Sequence, residues 1–223
     1  MIFCQVLISL VSYWLGAVLK KKFKSSLINP LLISIVLTIP ALLLLHIDYP
    51  TYYEGAKYLN WLLTPATVAL AVPLYEQFDL LKHNAAAVIA GIIAGVLSSL
   101  GTVLGLAVLF GFSHEEYITF LPKSITTAIG MGVSEELGGI VSITAGVIII
   151  TGVLGNILAE LVLKLFRITE PVAKGIALGT SAHAIGTAKA MELGEAEGAM
   201  SSLSIAVSGI ITVAGAAFFA NFY

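Results

Sequence analysis

The chain has 223 residues, 58% of them hydrophobic and only 11% charged, with a formal net charge of −2 and a mean hydropathy of +1.01. A water-facing surface needs roughly 25% charged residues, so a soluble domain is excluded, and with no basic patch interleaved with aromatics a nucleic-acid partner is excluded too. The single cysteine, Cys4, rules out a disulfide framework and a cysteine-built metal site.

Six runs free of Asp, Glu, Lys and Arg mark the expected membrane helices: residues 1–19, 27–47, 58–75, 84–113, 137–159 and 198–223. A hydrocarbon core about 30 Å thick takes about 20 apolar residues of helix. Only 58–75, which carries Pro65 and Pro73, is marginal by that measure. The expected fold class is therefore all-α: a polytopic helical membrane protein, with 1–223 a single transmembrane domain and no separable soluble part. The first run lacks the basic start and small-residue cleavage site of a signal peptide and leads into "KKKFK", so it reads as a retained helix with Cys4 packed inside it.

Lys20, Lys21, Lys22 and Lys24 place the first loop on the cytoplasmic side and the N-terminus outside. Asn29-Pro30 is a helix-start signal. The second helix then ends near His46, and the acidic, tyrosine-rich stretch 48–57 reads as an outer loop. Run 58–75 returns inward to the polar "EQFDLLKHN", and 84–113 goes out again. The basic loop 164–174, with Arg167, is expected inside, so 137–159 must run inward. Segment 120–136 then begins and ends outside and is expected to be re-entrant. The stretch 174–195 spans or dips back, and 198–223 closes the chain. An offset of 116 aligns Thr64 with Thr180, Ala66 with Ala182, Glu76 with Glu192 and Asp79 with Glu195. Those two copies enter from opposite sides, as in the inverted repeats of secondary transporters.

Three segments break the hydrophobic pattern. In "NWLLTPATVALAVPLYEQ" (60–77), Pro65 and Pro73 each remove a backbone donor, and Thr64 and Thr67 sit at the first break. A kinked helix whose threonines satisfy its own backbone is the plain alternative to a site. In "LPKSITTAIGMGVSEELGG" (121–139), Pro122 is suited to starting a helix. Ser124, Thr126 and Thr127 would then flank its unpaired N–H groups, and Lys123 would add a full charge. This is the composition of an anion-binding helix N-terminus; the plain alternative is that Lys123 snorkels and the hydroxyls cap. Glu135 and Glu136 mark the return to the surface.

The third segment is "GTSAHAIGTAKA" (179–190). As one continuous helix it would put Gly179, His183, Gly186 and Thr187 on one face. Small residues also let helices approach closely, so packing, with His183 satisfied by a carbonyl, is the plain alternative. Thr180, Ser181 and Thr187 add donors that packing does not need, and Lys189 adds a second ionisable group near His183. Ionisable groups at membrane depth are costly and mark pathways, and His183 titrates near neutral pH. Nucleophile–base constellations, ATP-binding loops and metal-ligand spacings are missing, so an enzyme is not expected, and neither is a cofactor beyond a coupling proton or sodium ion.

With "NPLL" (29–32), "LLTPATVALAVPLYEQ" (62–77), "LPKSITTAIGMGVSEELGGI" (121–140) and "GTSAHAIGTAKAMELGEAEGAMSSLSIAVSG" (179–209) in order, the chain resembles the LrgB/CidB family over nearly its whole length. That family is similar to the C-terminal half of the plastidic glycolate/glycerate translocator. Its bacterial members are described as antiholin-like proteins or effectors of murein hydrolase, paired with a small holin-like LrgA/CidA partner, and some such pairs as pyruvate transporters. The resemblance implies transport of small monocarboxylates, with Thr64, Pro65, Lys123, Ser124, Thr126, Thr127, Thr180, Ser181, His183, Thr187 and Lys189 in the family's motifs. Where a proline is expected after the paired threonines, this chain has Ala128. The other function implied is an antiholin-like regulator of lysis, for which the Gly- and Ala-rich helices 84–113 and 198–223 suit association with a partner or a second copy. That role needs no buried His, Lys or hydroxyl cluster.

Overall fold

The computed structural model describes residues 2–23, 29–69 and 71–223. These are mostly helical, with no strand among them, and divide into two compact units, Met1–Leu70 and Ala71–Tyr223. The family motifs run through both.

The first unit holds α1 (Ile2–Phe23), α2 (Pro30–Leu44), α3 (Tyr49–Trp61) and α4 (Leu63–Ala69). Helix α2 starts where Asn29-Pro30 predicts: the Asn29 side chain accepts from the N–H groups of Leu31 at 2.8 Å and Leu32 at 3.2 Å, two of the donors that a helix start leaves unpaired. Helix α1 packs on α2 and α3. Ser9 Oγ meets Tyr52 Oη at 2.6 Å, and a Cβ at Gly16 would lie 2.6 Å from the Pro30 carbonyl oxygen, so only glycine permits the α1–α2 approach. Two expectations fail here. Stretch 48–57 is helix α3, not a loop, because Asp48 caps it in extended geometry and Pro50 sits in its first turn. Run 58–75 is not one kinked segment: α3 ends at Trp61, α4 follows, and α5 (Ala71–Glu76) belongs to the second unit. Pro65 and Pro73 fall in the opening turns of α4 and α5, where a missing N–H costs nothing.

The second unit continues with α6 (Phe78–Phe110), α7 (His114–Phe120), α8 (Thr127–Leu137), α9 (Val141–Leu165), α10 (Pro171–Leu193) and α11 (Glu195–Phe219), closed by a 3-10 turn at Ala220–Phe222. Helices α6 and α9, and α11 with its closing turn, are long and apolar enough to cross a membrane. Their outer faces are greasy: Leu109 is 73% exposed and Ile210 72%, a pattern that only a hydrocarbon solvent accommodates. Helices α7 and α8, with 7 and 11 residues, are each too short to cross, in keeping with a segment 120–136 that does not span.

The core runs along α6, where Val88, Ile92, Val96, Leu100, Val103 and Ala107 recur every three or four residues and are all buried. Against α6 packs α11, and α11 also packs tightly on α10. A Cβ at Gly175 would lie 2.5 Å from the Glu197 carbonyl oxygen, and one at Gly179 2.5 Å from that of Ser201. Those two glycines, one turn apart, therefore let the two backbones touch. The buried face of α11 is accordingly hydroxyl-rich rather than bulky: Ser201, Ser204, Ser208 and Thr212 line it.

Candidate functional site

Helix α10 is not continuous. Ala182 (φ −130°, ψ 15°) and His183 (φ 42°, ψ −137°) leave helical geometry in its middle. The i, i+4, i+7, i+8 face expected for Gly179, His183, Gly186 and Thr187 therefore does not exist, because the register turns at 182–183. Gly179 faces α11, whereas the His183 ring is buried against α9. A Cβ at Gly152 would lie 2.6 Å from the His183 ring and one at Gly155 2.5 Å from Ala182 Cβ, so the glycines of α9 make room for the break. His183 Nε2 lies 2.9 Å from the Ile148 carbonyl; since a carbonyl only accepts, Nε2 carries the proton. The Asn156 amide donates to the Ile185 carbonyl at 2.8 Å just beyond the break. Thr187 is fully buried, with its hydroxyl 2.7 Å from Ser201 Oγ and donating to the His183 carbonyl at 3.1 Å. Lys189 pairs with Glu160 at 2.5 Å and with Glu192 at 3.2 Å.

The turn before α8 is built differently from the expectation as well. Pro122 does not start the helix. Residues 121–126 form successive turns, Thr126 is the N-cap in extended geometry, and α8 begins at Thr127. Ala128, where a proline is expected, leaves this start in place. The physical reason is the turn hydrogen bonds, Lys123 N–H to the Phe120 carbonyl at 3.1 Å and Ile125 N–H to the Pro122 carbonyl at 3.3 Å, which spend the backbone that a helix from Pro122 would need.

One cavity of about 280 Å³ gathers polar groups from three elements. It is lined by Gly95, Ser98, Ser99 and Thr102 of α6, by Lys123 and Ser124 of the turn, and by Thr180 and Ser181 of α10. Lys123 Nζ donates to Ser124 Oγ at 3.0 Å and to Ser99 Oγ at 3.3 Å, and the two hydroxyls share a bond of 2.9 Å. Thr180 and Ser181 donate their hydroxyls back to carbonyls of their own helix, Thr180 to Ile176 at 2.8 Å and Ser181 to Ala177 at 2.6 Å, which leaves Lys123 as the charged donor on the cavity. A Cβ at Gly95 would lie 2.8 Å from Thr180 Oγ1, so glycine there preserves the space. Among the described residues no carboxylate lies within ion-pair distance of Lys123. A half-buried ammonium held only by neutral hydroxyls favours an anion.

The structure thus brings Lys123, Ser124, Thr180 and Ser181 together, and adds Ser98, Ser99 and Thr102, which sequence reasoning passed over. Their signal is "SSLGT" (98–102), three hydroxyls inside the otherwise apolar stretch 85–112. Thr126 and Thr127 lie at the start of α8 and do not line this cavity; His183, Thr187 and Lys189 lie in the second half of α10 with the partners given above. Thr64 and Pro65 lie on α4 in the first unit.

The LrgB-like family matches residues 9–222. The antiholin-like protein LrgB of Bacillus mycoides (strain KBAB4) is 38% identical over 209 residues, covering 93% of this chain and 91% of its own. The antiholin-like proteins LrgB of Bacillus cereus (strain B4264) and Bacillus anthracis (strain CDC 684 / NRRL 3495) match with the same identity and coverage. No solved structure matches. Matched over nearly its whole length, this helical membrane protein belongs to the LrgB-like family.

Proposed function

We propose that the chain is an antiholin-like membrane protein that restrains murein hydrolase activity and cell lysis together with a holin-like partner. The observation that carries this reading is the similarity to proteins named antiholin-like over more than nine-tenths of both chains. The apolar outer faces of α6, α9 and α11 suit contact with lipid and with a second membrane protein. The test is removal of the chain from a cell that carries it, followed by restoration from a plasmid. Faster autolysis on removal, returning to the starting rate on restoration, supports the role; an unchanged lysis rate removes it.

A specific observation favours a second reading, transport of a small monocarboxylate. It is the cavity that Lys123 shares with hydroxyls of α6, the turn and α10, without a carboxylate partner among the described residues. Its volume of about 280 Å³ lies below the roughly 300–1,000 Å³ of sites for drug-sized ligands, which suits an acid of two or three carbons. One cation suits one carboxylate. Alternating access would then move the turn before α8 and the broken helix α10 against α6, with a proton or sodium gradient as the driving force. Uptake of labelled pyruvate and glycolate into proteoliposomes containing this chain alone tests it. Saturable uptake above empty vesicles supports transport, and no uptake of either acid by folded, inserted protein opposes it. The two readings are compatible where the solute carried is itself what links the protein to lysis.

A further inference from the structure

A second pocket, of about 410 Å³, lies where α9 ends and α10 begins, away from the hydroxyl-lined cavity. Its walls are apolar (Leu163, Ile168, Leu193), and its rim carries three cations, Lys164, Arg167 and Lys174, against one carboxylate, Glu160. Of the carboxylates nearby, Glu160 and Glu192 pair with Lys189, and Glu197 with Lys174 at 3.4 Å; Glu170, at the N-cap of α10, does not line the pocket. Lys164 and Arg167 have no carboxylate within ion-pair distance among the described residues, which leaves two cations on the pocket without a direct ion pair.

The backbone at Arg167 points the same way. Helix α9 closes with the Ile168 N–H donating to the Leu163 carbonyl at 2.8 Å and the Arg167 N–H to the Lys164 carbonyl at 3.2 Å. This is a Schellman cap, with Leu163 and Ile168 as its hydrophobic pair. The position after the cap is left-handed, φ 55°, and there glycine is usual; here it is Arg167. An arginine held in that conformation places a guanidinium on the rim at a cost in backbone strain, and such outliers cluster at ligand-binding positions. Beside the rim, Leu165 and Phe166 are 70% and 69% exposed at the end of a membrane-length helix. The level at which cations and greasy side chains meet is the headgroup region of a bilayer.

We infer that this pocket binds the phosphate headgroup of an anionic phospholipid, with Lys164 and Arg167 holding the phosphate and Leu165 and Phe166 lying along the acyl chains. The test uses the full chain in a zwitterionic detergent, titrated with short-chain phosphatidylglycerol, short-chain phosphatidylcholine and inorganic phosphate. Thermal stability of each protein is recorded alongside. Saturable binding of phosphatidylglycerol is expected, at least tenfold tighter than either other probe. Arg167→Gly keeps the cap satisfied, so it should fold at least as well as the parent while binding about fivefold more weakly, and Lys164→Gln with Arg167→Gly about thirtyfold. Equal affinity for phosphatidylcholine would overturn the inference, as would unchanged binding in the folded double variant. Binding of inorganic phosphate as tight as that of the lipid would overturn it in favour of a soluble anion.

Discussion

Replacing Lys123 by glutamine removes the positive charge from the hydroxyl-lined cavity while nearly preserving side-chain length. In the parent, Nζ spends hydrogen bonds on Ser124 and Ser99 at 3.0 and 3.3 Å and meets no carboxylate among the described residues. Its charge is therefore available to a solute. A hydrogen bond to a charged group contributes about 1.5–3 kcal/mol, and each 1.4 kcal/mol is about tenfold in affinity. If a carboxylate sits against Nζ, the KM for uptake into proteoliposomes should rise by roughly ten- to a hundredfold in Lys123→Gln. Lys123→Arg, which keeps the charge, should recover part of the loss. Removing an unpaired charge from an apolar fold should leave thermal stability unchanged or raised. Saturable uptake with the parent KM in Lys123→Gln would refute the assignment of Lys123 to the solute.

Further outcomes follow from the same geometry. Gly179→Ala forces a Cβ to within 2.5 Å of the Ser201 carbonyl oxygen, where backbone must move, so thermal unfolding should report a loss of about 1–3 kcal/mol; Gly101→Ala, with nothing within 4 Å, should be neutral or gain about 0.5–1 kcal/mol. His183→Ala loses the bond to Ile148 and leaves a void beside Gly152; a lowered melting temperature is expected, and an unchanged one would show that the ring does not hold the break in α10. Lys189→Gln breaks pairs with half-exposed Glu160 and Glu192, so its cost should stay below about 1 kcal/mol, and uptake kinetics should match the parent because Lys189 does not line the cavity. Arg167→Gly relieves a left-handed arginine and should stabilise by about 1 kcal/mol, measured as a rise in melting temperature in detergent.

The membrane helices were legible because a bilayer imposes a simple rule on composition. Runs 84–113, 137–159 and 198–223 land on α6, α9 and α11 with ends displaced by a few residues. Boundaries slipped where charged residues continue a helix into water, as Asp79 and Lys82 do at the start of α6. The polar stretch 48–57 reads as a loop because its charge outweighs its Asp48-Tyr49-Pro50 start signal. The break at 182–183 was hidden for a different reason. No proline marks it; it is imposed by α9, whose Gly152 and Gly155 receive His183 and Ala182 from distant positions in the sequence. Lys123, Ser124, Thr180 and Ser181 could be singled out as polar groups in apolar surroundings, but their meeting at one cavity depends on helix packing. Ser98, Ser99 and Thr102 escaped because a hydroxyl in an apolar helix ordinarily bonds its own backbone, as Thr102 does with the Ser98 carbonyl at 2.6 Å.

The length of α6 fixes how deep that cavity lies. The helix ends at Phe110, followed by the polar Ser113–Glu116 capping box. At 1.5 Å per residue, Thr102 and Ser98 stand about 12 and 18 Å from that end. Half of a hydrocarbon slab is about 15 Å. With the hydrocarbon edge set at that end of the helix, the hydroxyls and Lys123 would lie near the middle of the slab. On the transport reading, a solute held there would face similar depths of hydrocarbon on both sides. Its net flow would then be set by the concentrations and voltage outside the molecule.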